Sequence, residues 1–471
     1  MPTELPPIQN HERDSIWDAR NRSLSLGSIT AISVVAFQGL AMATVAPIVS
    51  DDLGGNSLYG WIFSAFILSQ IVGTVIGGQE VDRRSPAHVF LGAIGVFALG
   101  CAVAGAAPSI YILLFGRALQ GFGAGATFSC VYANISAVYE DHLRPMMLAA
   151  MSSAWIVPSL VGPALAGVIA DRFGWRFVFF GLLPLLVVAV ILTMPVFLRL
   201  KPPPVANSRG GTSRVVQSVI LAGGSGVLLA GFNLEFWPIA VATVLAGFAL
   251  VIPMLKSLLP AGTFTARPVV PAAIIARGCC FAAFLITETY MVRALKEFGG
   301  VSATVAGIVI TAGSLTWTAG SFAQAKWDRN SGARSRPLRI VSGSILLAAS
   351  VTTIFLSVAA FHEIRIAIAL VAWMGAGLGI GIAYTTATTI AFSFAPQGED
   401  GKVASSLLLG ENFLGSVGVG VGGALYAVGQ SNNAALTTST ALALALGVGF
   451  VLIAIFAGWR LMQIRSQTTM R

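Results

Sequence analysis

Nineteen acidic residues occur in the 471-residue chain, and all but two stand in the N-terminal tail, in loops or at the ends of apolar stretches. The exceptions are Glu288, within Ile286-Thr287-Glu288-Thr289-Tyr290, and Glu411, within Gly410-Glu411-Asn412. A carboxyl held away from water resists ionisation, so it can take up a proton on one side of a barrier and release it on the other. Both are read as proton-carrying candidates. For Glu288 the competing reading is an interfacial position, because Arg293 follows five residues on; for Glu411 it is a satisfied packing contact. Arg117 lies about seven residues, roughly 10 Å by helical rise, into another apolar stretch. A cation there can hold an anionic group or a carboxylate, or it can extend its charged end back to the surface.

Other chemistries find no support. His11, His88, His142 and His362 are scattered singly, without metal-ligand spacing, and no Gly-x-x-x-x-Gly-Lys-Ser/Thr phosphate loop is present. Cys101, Cys130, Cys279 and Cys280 all fall in apolar stretches, where a thiol acts as a small hydrophobe. The sequence therefore predicts neither an enzyme, a metal centre nor a cofactor, and ATP is not the expected energy source.

The elements that must position these residues are membrane helices. The chain is 56% hydrophobic and 10% charged, with mean hydropathy +0.82, whereas soluble proteins carry about 25% charged residues. Apolar windows of about 20 residues place helices at 27–49, 57–79, 87–107, 110–138, 146–170 and 176–198, then 215–232 and 236–255, then 269–293, 301–323, 338–360, 364–393, 402–428 and 434–459. The expected fold is all-α and polytopic: two pseudo-symmetric six-helix bundles with two inserted helices, fourteen crossings in all. The domains read as a tail 1–26, a bundle 27–198, a linker 199–214, an inserted pair 215–255, a linker 256–268, a second bundle 269–459 and a tail 460–471.

Duplication supports the two bundles. The turn Gly77-Gly78-Gln79-Glu80-Val81-Asp82-Arg83-Arg84-Ser85 returns in degenerate form as Gln324-Ala325-Lys326-Trp327-Asp328-Arg329-Asn330-Ser331. Gly121-Phe122-Gly123 matches Gly375-Ala376-Gly377, and Gly162-Pro163-Ala164-Leu165 matches Gly422-Gly423-Ala424-Leu425. Internal repeats of this size are a habit of transporters, with sites near the midplane between the halves. Twenty-one of the 28 Lys and Arg residues fall on the side shared by both termini and five on the other. This bias predicts cytoplasmic termini and explains the basic pI without a nucleic-acid partner.

Three signatures now resemble the major facilitator superfamily: the loop Gly78-x-x-x-Asp82-Arg83, Arg117-Ala-Leu-Gln120-Gly121 in the fourth helix, and the antiporter-like Gly162-Pro163 in the fifth. The helix count and Gly174-Trp175-Arg176-Phe177 look most like its fourteen-helix drug:proton antiporter branch. The chain departs from that pattern at Ser85 and Pro86, at Gln38 where the first helix usually carries Asp, and at Pro158 and Ala166. The resemblance implies proton-coupled export of small amphipathic compounds from a cell membrane by a chain that functions as a monomer. A dedicated metabolite or lipid exporter of the same fold, or a membrane sensor or scaffold that does not transport, is the alternative reading. Asp82, Arg83, Asp328 and Arg329 are read as a conformational latch. Gln38, Trp61, Gln70, Arg117, Trp155, Tyr290 and Trp317 are the expected lining of the substrate cavity.

Overall fold

The computed structural model describes residues 15–18, 21–81, 83–139, 143–200, 211–232, 234, 236–267, 269–331, 333–361, 364–394, 400–431 and 436–462. Among these there is no strand. The first half comprises α1 (Arg22–Asp52), α2 (Trp61–Val81), α3 (Pro86–Gly105), α4 (Ile110–Val138), α5 (Arg144–Ser153), α6 (Ile156–Phe173), α7 (Arg176–Phe180) and α8 (Leu182–Phe197). The inserted pair is α9 (Gly211–Gly231) and α10 (Trp237–Leu258). The second half comprises α11 (Val270–Glu297), α12 (Ala303–Ser331), α13 (Arg336–Phe361), α14 (Ile366–Ser393), α15 (Asp400–Ser431) and α16 (Leu436–Met462).

Among the described residues, twelve spans are long and apolar enough to cross a bilayer by length and composition. The other two crossings are α4, whose Arg117, Gln120 and Asn134 dilute its hydropathy, and α9, apolar over the shorter stretch Val215–Gly231.

The fifth and sixth crossings are each broken, contrary to the continuous spans 146–170 and 176–198 expected from hydropathy. Proline is the reason. Pro158 has no N–H to offer the Ala154 carbonyl one turn back, and that carbonyl instead accepts a hydrogen bond from Ser33 Oγ at 2.9 Å. Pro184 likewise leaves the Phe180 carbonyl without its helical donor, and the chain breaks at Gly181 between α7 and α8. The counterpart α15 contains no proline and runs unbroken for 32 residues.

The halves repeat each other's packing. In the first, α4 lies against α2 and α3, and α1 against α6 and α8; in the second, α14 lies against α12 and α13, and α11 against α15 and α16. The two seams between halves are also related by this symmetry, since α6 packs on α12 and α15 packs on α2. Backbone meets backbone along both. A Cβ on Gly307 would stand 2.3 Å from the Pro163 carbonyl oxygen, and one on Gly60 2.7 Å from that of Val419. Lipid removes most of the hydrophobic reason for helices to associate, so small residues that permit close contact take over that role.

The inserted pair occupies one seam. α9 packs on both α2 and α15, with Leu229 against Gly420, while α10 presents Ile239, Leu245 and Phe248 outward.

Candidate functional site

Helix α11 organises the site. It opens with Pro271 in its first turn and is rich in alanine, both favourable to helix, and it ends before Gly299 and Gly300, the latter in the left-handed region at φ 59°. Arg277, Phe281, Phe284 and Glu288 recur at intervals of four, three and four, which is one face of a helix.

At one end of that face stands an ion pair. Arg277 Nη2 lies 2.6 Å from Glu411 Oε2 of α15, and both side chains are about nine-tenths buried. Tyr384 of α14 completes the group. Its hydroxyl accepts from Arg277 and donates to Glu411 Oε2 at 2.8 Å, and its ring lies 4.3 Å from the guanidinium carbon. The arrangement supplies both the opposite charge and the hydrogen bonds that a buried carboxylate requires. Glu411 is thus a counter-ion here.

From Tyr384 an aromatic wall runs up the face. Trp317 of α12 meets the Tyr384 ring edge-on at 5.5 Å and the Phe284 ring at 5.0 Å, and Trp373 stacks on Phe284 at 4.2 Å. Gly313 makes this possible, since a Cβ there would stand 2.3 Å from the Trp373 indole nitrogen. One turn beyond Phe284 comes Glu288, 6% exposed and without a hydrogen bond or ion pair among the described residues. A carboxyl so placed lacks the counter-ion and hydrogen bonds that Glu411 has.

The remaining expected residues disperse. Gln38 is fully buried in α1 with both amide atoms unpartnered. Arg117 is also buried, its Nε donating to the Ile62 carbonyl at 3.0 Å and its Nη1 to Gln120 Oε1 at 2.7 Å, with Phe66 beneath it. That geometry ties α2 to α4. Trp61 faces α9 near Gly226, Gln70 is half-buried beside Gly125, and Trp155 is 42% exposed and stacked on Phe128. Only Trp317 and Glu411 join the face of α11.

Tyr290 sits on another face of α11, stacked on Tyr426 and tilted against Tyr59, with its hydroxyl donating to the Val419 carbonyl. It belongs to a bonded seal between the halves. Arg293 lies at its centre, 1% exposed: Nε donates to Tyr426, Nη1 to Ser50 of α1 at 3.1 Å, and Nη2 pairs with Glu297 at 2.6 Å. Around it Lys296 pairs with Asp51 at 2.6 Å, Tyr59 donates to the Thr289 carbonyl, and Asp171 accepts from the Thr304 amide and hydroxyl. Gly162 and Pro163 are neighbours in α6, where Pro163 lies opposite Gly307 of α12 and Gly162 faces Phe37 of α1.

At the other, arginine-rich end the second copy of the loop motif is well defined. Asp328 accepts from Arg336 Nε at 2.8 Å and Nη2 at 2.6 Å and lies 3.1 Å from Arg339, while Arg336 also reaches Ser393. One carboxylate thereby joins α12, α13 and α14. Asp82 lies outside the described residues, Arg83 is exposed, and Arg329 lies in α12 with its side chain outside the described ones.

Sequence reasoning missed Arg277 and Arg293 as functional groups. A signal existed for Arg277, which shares a helical face with Glu288 three turns away. Nothing in the sequence pointed to Tyr384, or to Ser50 as the acceptor for Arg293.

Comparison with known proteins agrees with this architecture. Residues 27–419 match the sequence profile of the Major Facilitator Superfamily. A "Probable multidrug-efflux transporter" of Mycobacterium tuberculosis is 27% identical over 327 residues, spanning 67% of this chain and 69% of its own. The "Multidrug efflux pump SdrM" of Staphylococcus aureus is 24% identical over 424 residues, spanning 86% of this chain and 91% of its own. A D-xylose-proton symporter superposes with a TM-score of 0.63 at 12% identity, over 93% of this chain and 97% of that one. At that identity the likeness is one of fold.

Proposed function

Because this chain belongs to the Major Facilitator Superfamily, we propose that it is a proton-coupled exporter of small amphipathic compounds, a multidrug efflux transporter of the cell membrane. Two relatives that carry efflux names, and span most of their length with it, support the export reading. The observation that carries proton coupling is Glu288, a carboxyl almost wholly buried in α11 and without a partner among the described residues. Its helix corresponds to α1, where Gln38 cannot titrate, so the carboxyl is carried by the symmetry-related helix of the other half. Glu411 is the second acid of the site, held by Arg277.

The positive charge bias supports an orientation with both termini and the linkers 199–214 and 256–268 in the cytoplasm. In that orientation the seal around Arg293 is the outer gate, and the tie at Asp328 with its partner loop at Asp82 and Arg83 is the inner latch. The bundles 27–198 and 269–459 then rock about a cavity between them, with the pair 215–255 against one seam. The chain works as a monomer, with protons and lipid as its other partners.

Sealed vesicles test the coupling. Glu288→Gln keeps the shape and hydrogen-bonding capacity of the side chain but cannot titrate. It is expected to abolish accumulation against a concentration gradient while downhill exchange persists. Uphill transport with an unchanged pH profile in that variant would rule out coupling through Glu288.

A further inference from the structure

Arg277 has donor capacity that the fold does not use. Among the described residues its Nη2 serves Glu411 and Tyr384, no hydrogen bond falls to Nη1, and Nε is buried without a partner. Arg117, Arg293 and Arg336 each bond through at least two nitrogens. Unused donors on a buried guanidinium cost free energy until an acceptor meets them. Since Glu411 already neutralises the charge, that acceptor need not be an anion. A carbonyl or ester oxygen suffices.

The rest of the face indicates what carries that oxygen. The Tyr384 ring under the guanidinium holds its plane, and Trp317 bridges Tyr384 to Phe284. Glu288 follows one turn later, without a partner among the described residues, roughly 16 Å from Arg277 by helical rise. The wall offers hydrogen-bond donors at one end, an unopposed carboxyl at the other and aromatic surface between them.

We infer that Arg277 is a cargo-recognition residue: it takes the acceptor oxygen of an elongated aromatic cargo whose opposite, cationic end meets Glu288. This rests on the transport reading above and adds a specificity to it. Aromatic cations that bear an acceptor are bound more tightly than those without one, and Arg277 makes the difference.

Binding to the purified full chain distinguishes the two levels. The probes are rhodamine 6G, an aromatic cation carrying an ester, and tetraphenylphosphonium, an aromatic cation with no acceptor. The double variant Arg277→Gln/Glu411→Gln removes the guanidinium without stranding its partner's charge. Its affinity for rhodamine 6G is expected to fall about tenfold, the worth of a hydrogen bond from a charged donor, while that for tetraphenylphosphonium stays within about twofold. Arg277→Lys keeps a charge beside Glu411 but lacks the Nε and Nη1 donors, and the same selective loss is expected. Unchanged relative affinity for the two probes in either folded variant overturns the role of Arg277. A wild-type chain that binds neither cation overturns the transport reading itself, and this inference with it.

Discussion

Arg293 of the second half donates from Nη1 to Ser50 Oγ of the first at 3.1 Å, across the junction that the two halves must open in any alternating cycle. The same guanidinium lies 4.8 Å from the Tyr59 ring and 4.6 Å from the Tyr426 ring, so it meets the first half through both a hydrogen bond and an aromatic face. Lysine cannot reproduce that combination. Arg293→Lys is expected to raise the population open at this end roughly tenfold, the value of one charge-assisted bond. Spin labels at Ser57 and Ser302, exposed residues of opposite halves, would report it as growth of a longer distance. An unchanged distance distribution would remove Arg293 from the gate.

The pair of Glu411 with Arg277 predicts a non-additive result. Glu411→Gln alone leaves a buried guanidinium uncompensated, at a cost of about 3 to 5 kcal/mol. The melting temperature in detergent should drop sharply. Adding Arg277→Gln should recover most of the loss, because two amides in contact carry no net charge to strand. If the two losses simply add, the pair is not the coupled unit that its 2.6 Å contact describes.

Asp328 holds three helices together at the arginine-rich end, and its loss should be felt there. Asp328→Asn keeps the side-chain shape but removes the charge that Arg336 and Arg339 share. Destabilisation of about 2 kcal/mol is expected from the weakened charged bonds, together with slower transport at normal membrane abundance. Flux equal to the wild type would leave this loop with a topological role only.

Two glycines at the seams should respond differently to the same substitution. Gly307→Ala would push a Cβ to 2.3 Å from the Pro163 carbonyl oxygen, a backbone atom that moves only if α6 moves. Gly420→Ala meets Leu229 Cδ1 at 2.5 Å, the mobile end of a side chain. The first should spread the α6–α12 seam and impair transport several-fold, while the second should cost less than about 1.5 kcal/mol by repacking. Equal activity of the two variants would mean that close backbone approach at Pro163 is not required.

The inserted pair invites a deletion. A polar linker in place of residues 215–255 removes Leu229 from Gly420 and uncovers Trp61 near Gly226. The α2–α15 seam should loosen, seen as faster thiol labelling at Ser64→Cys, whose wild-type hydroxyl donates to the Ser416 carbonyl across it. Wild-type labelling rates would make the pair a bystander.

Composition, apolar windows and repeated motifs in the sequence by themselves determined a fourteen-helix membrane protein in two related halves, because lipid tolerates few backbone arrangements and few charges. It also isolated Glu288 and Glu411, since a carboxyl inside an apolar stretch is visible without any knowledge of its neighbours. What those carboxyls do depends on neighbours from other helices, Arg277 being more than a hundred residues from Glu411, or on their absence, and only the tertiary structure decided that. Hydropathy made the two acids look alike, yet packing of α11 against α15 gives Glu411 an arginine and leaves Glu288 with none. It likewise separated Arg117, locked between α2 and α4, from Arg277, which keeps spare donors. A helical sequence specifies which residues share a face; which helix that face meets is settled by the close packing of small residues along the seams, and no period in the sequence encodes it.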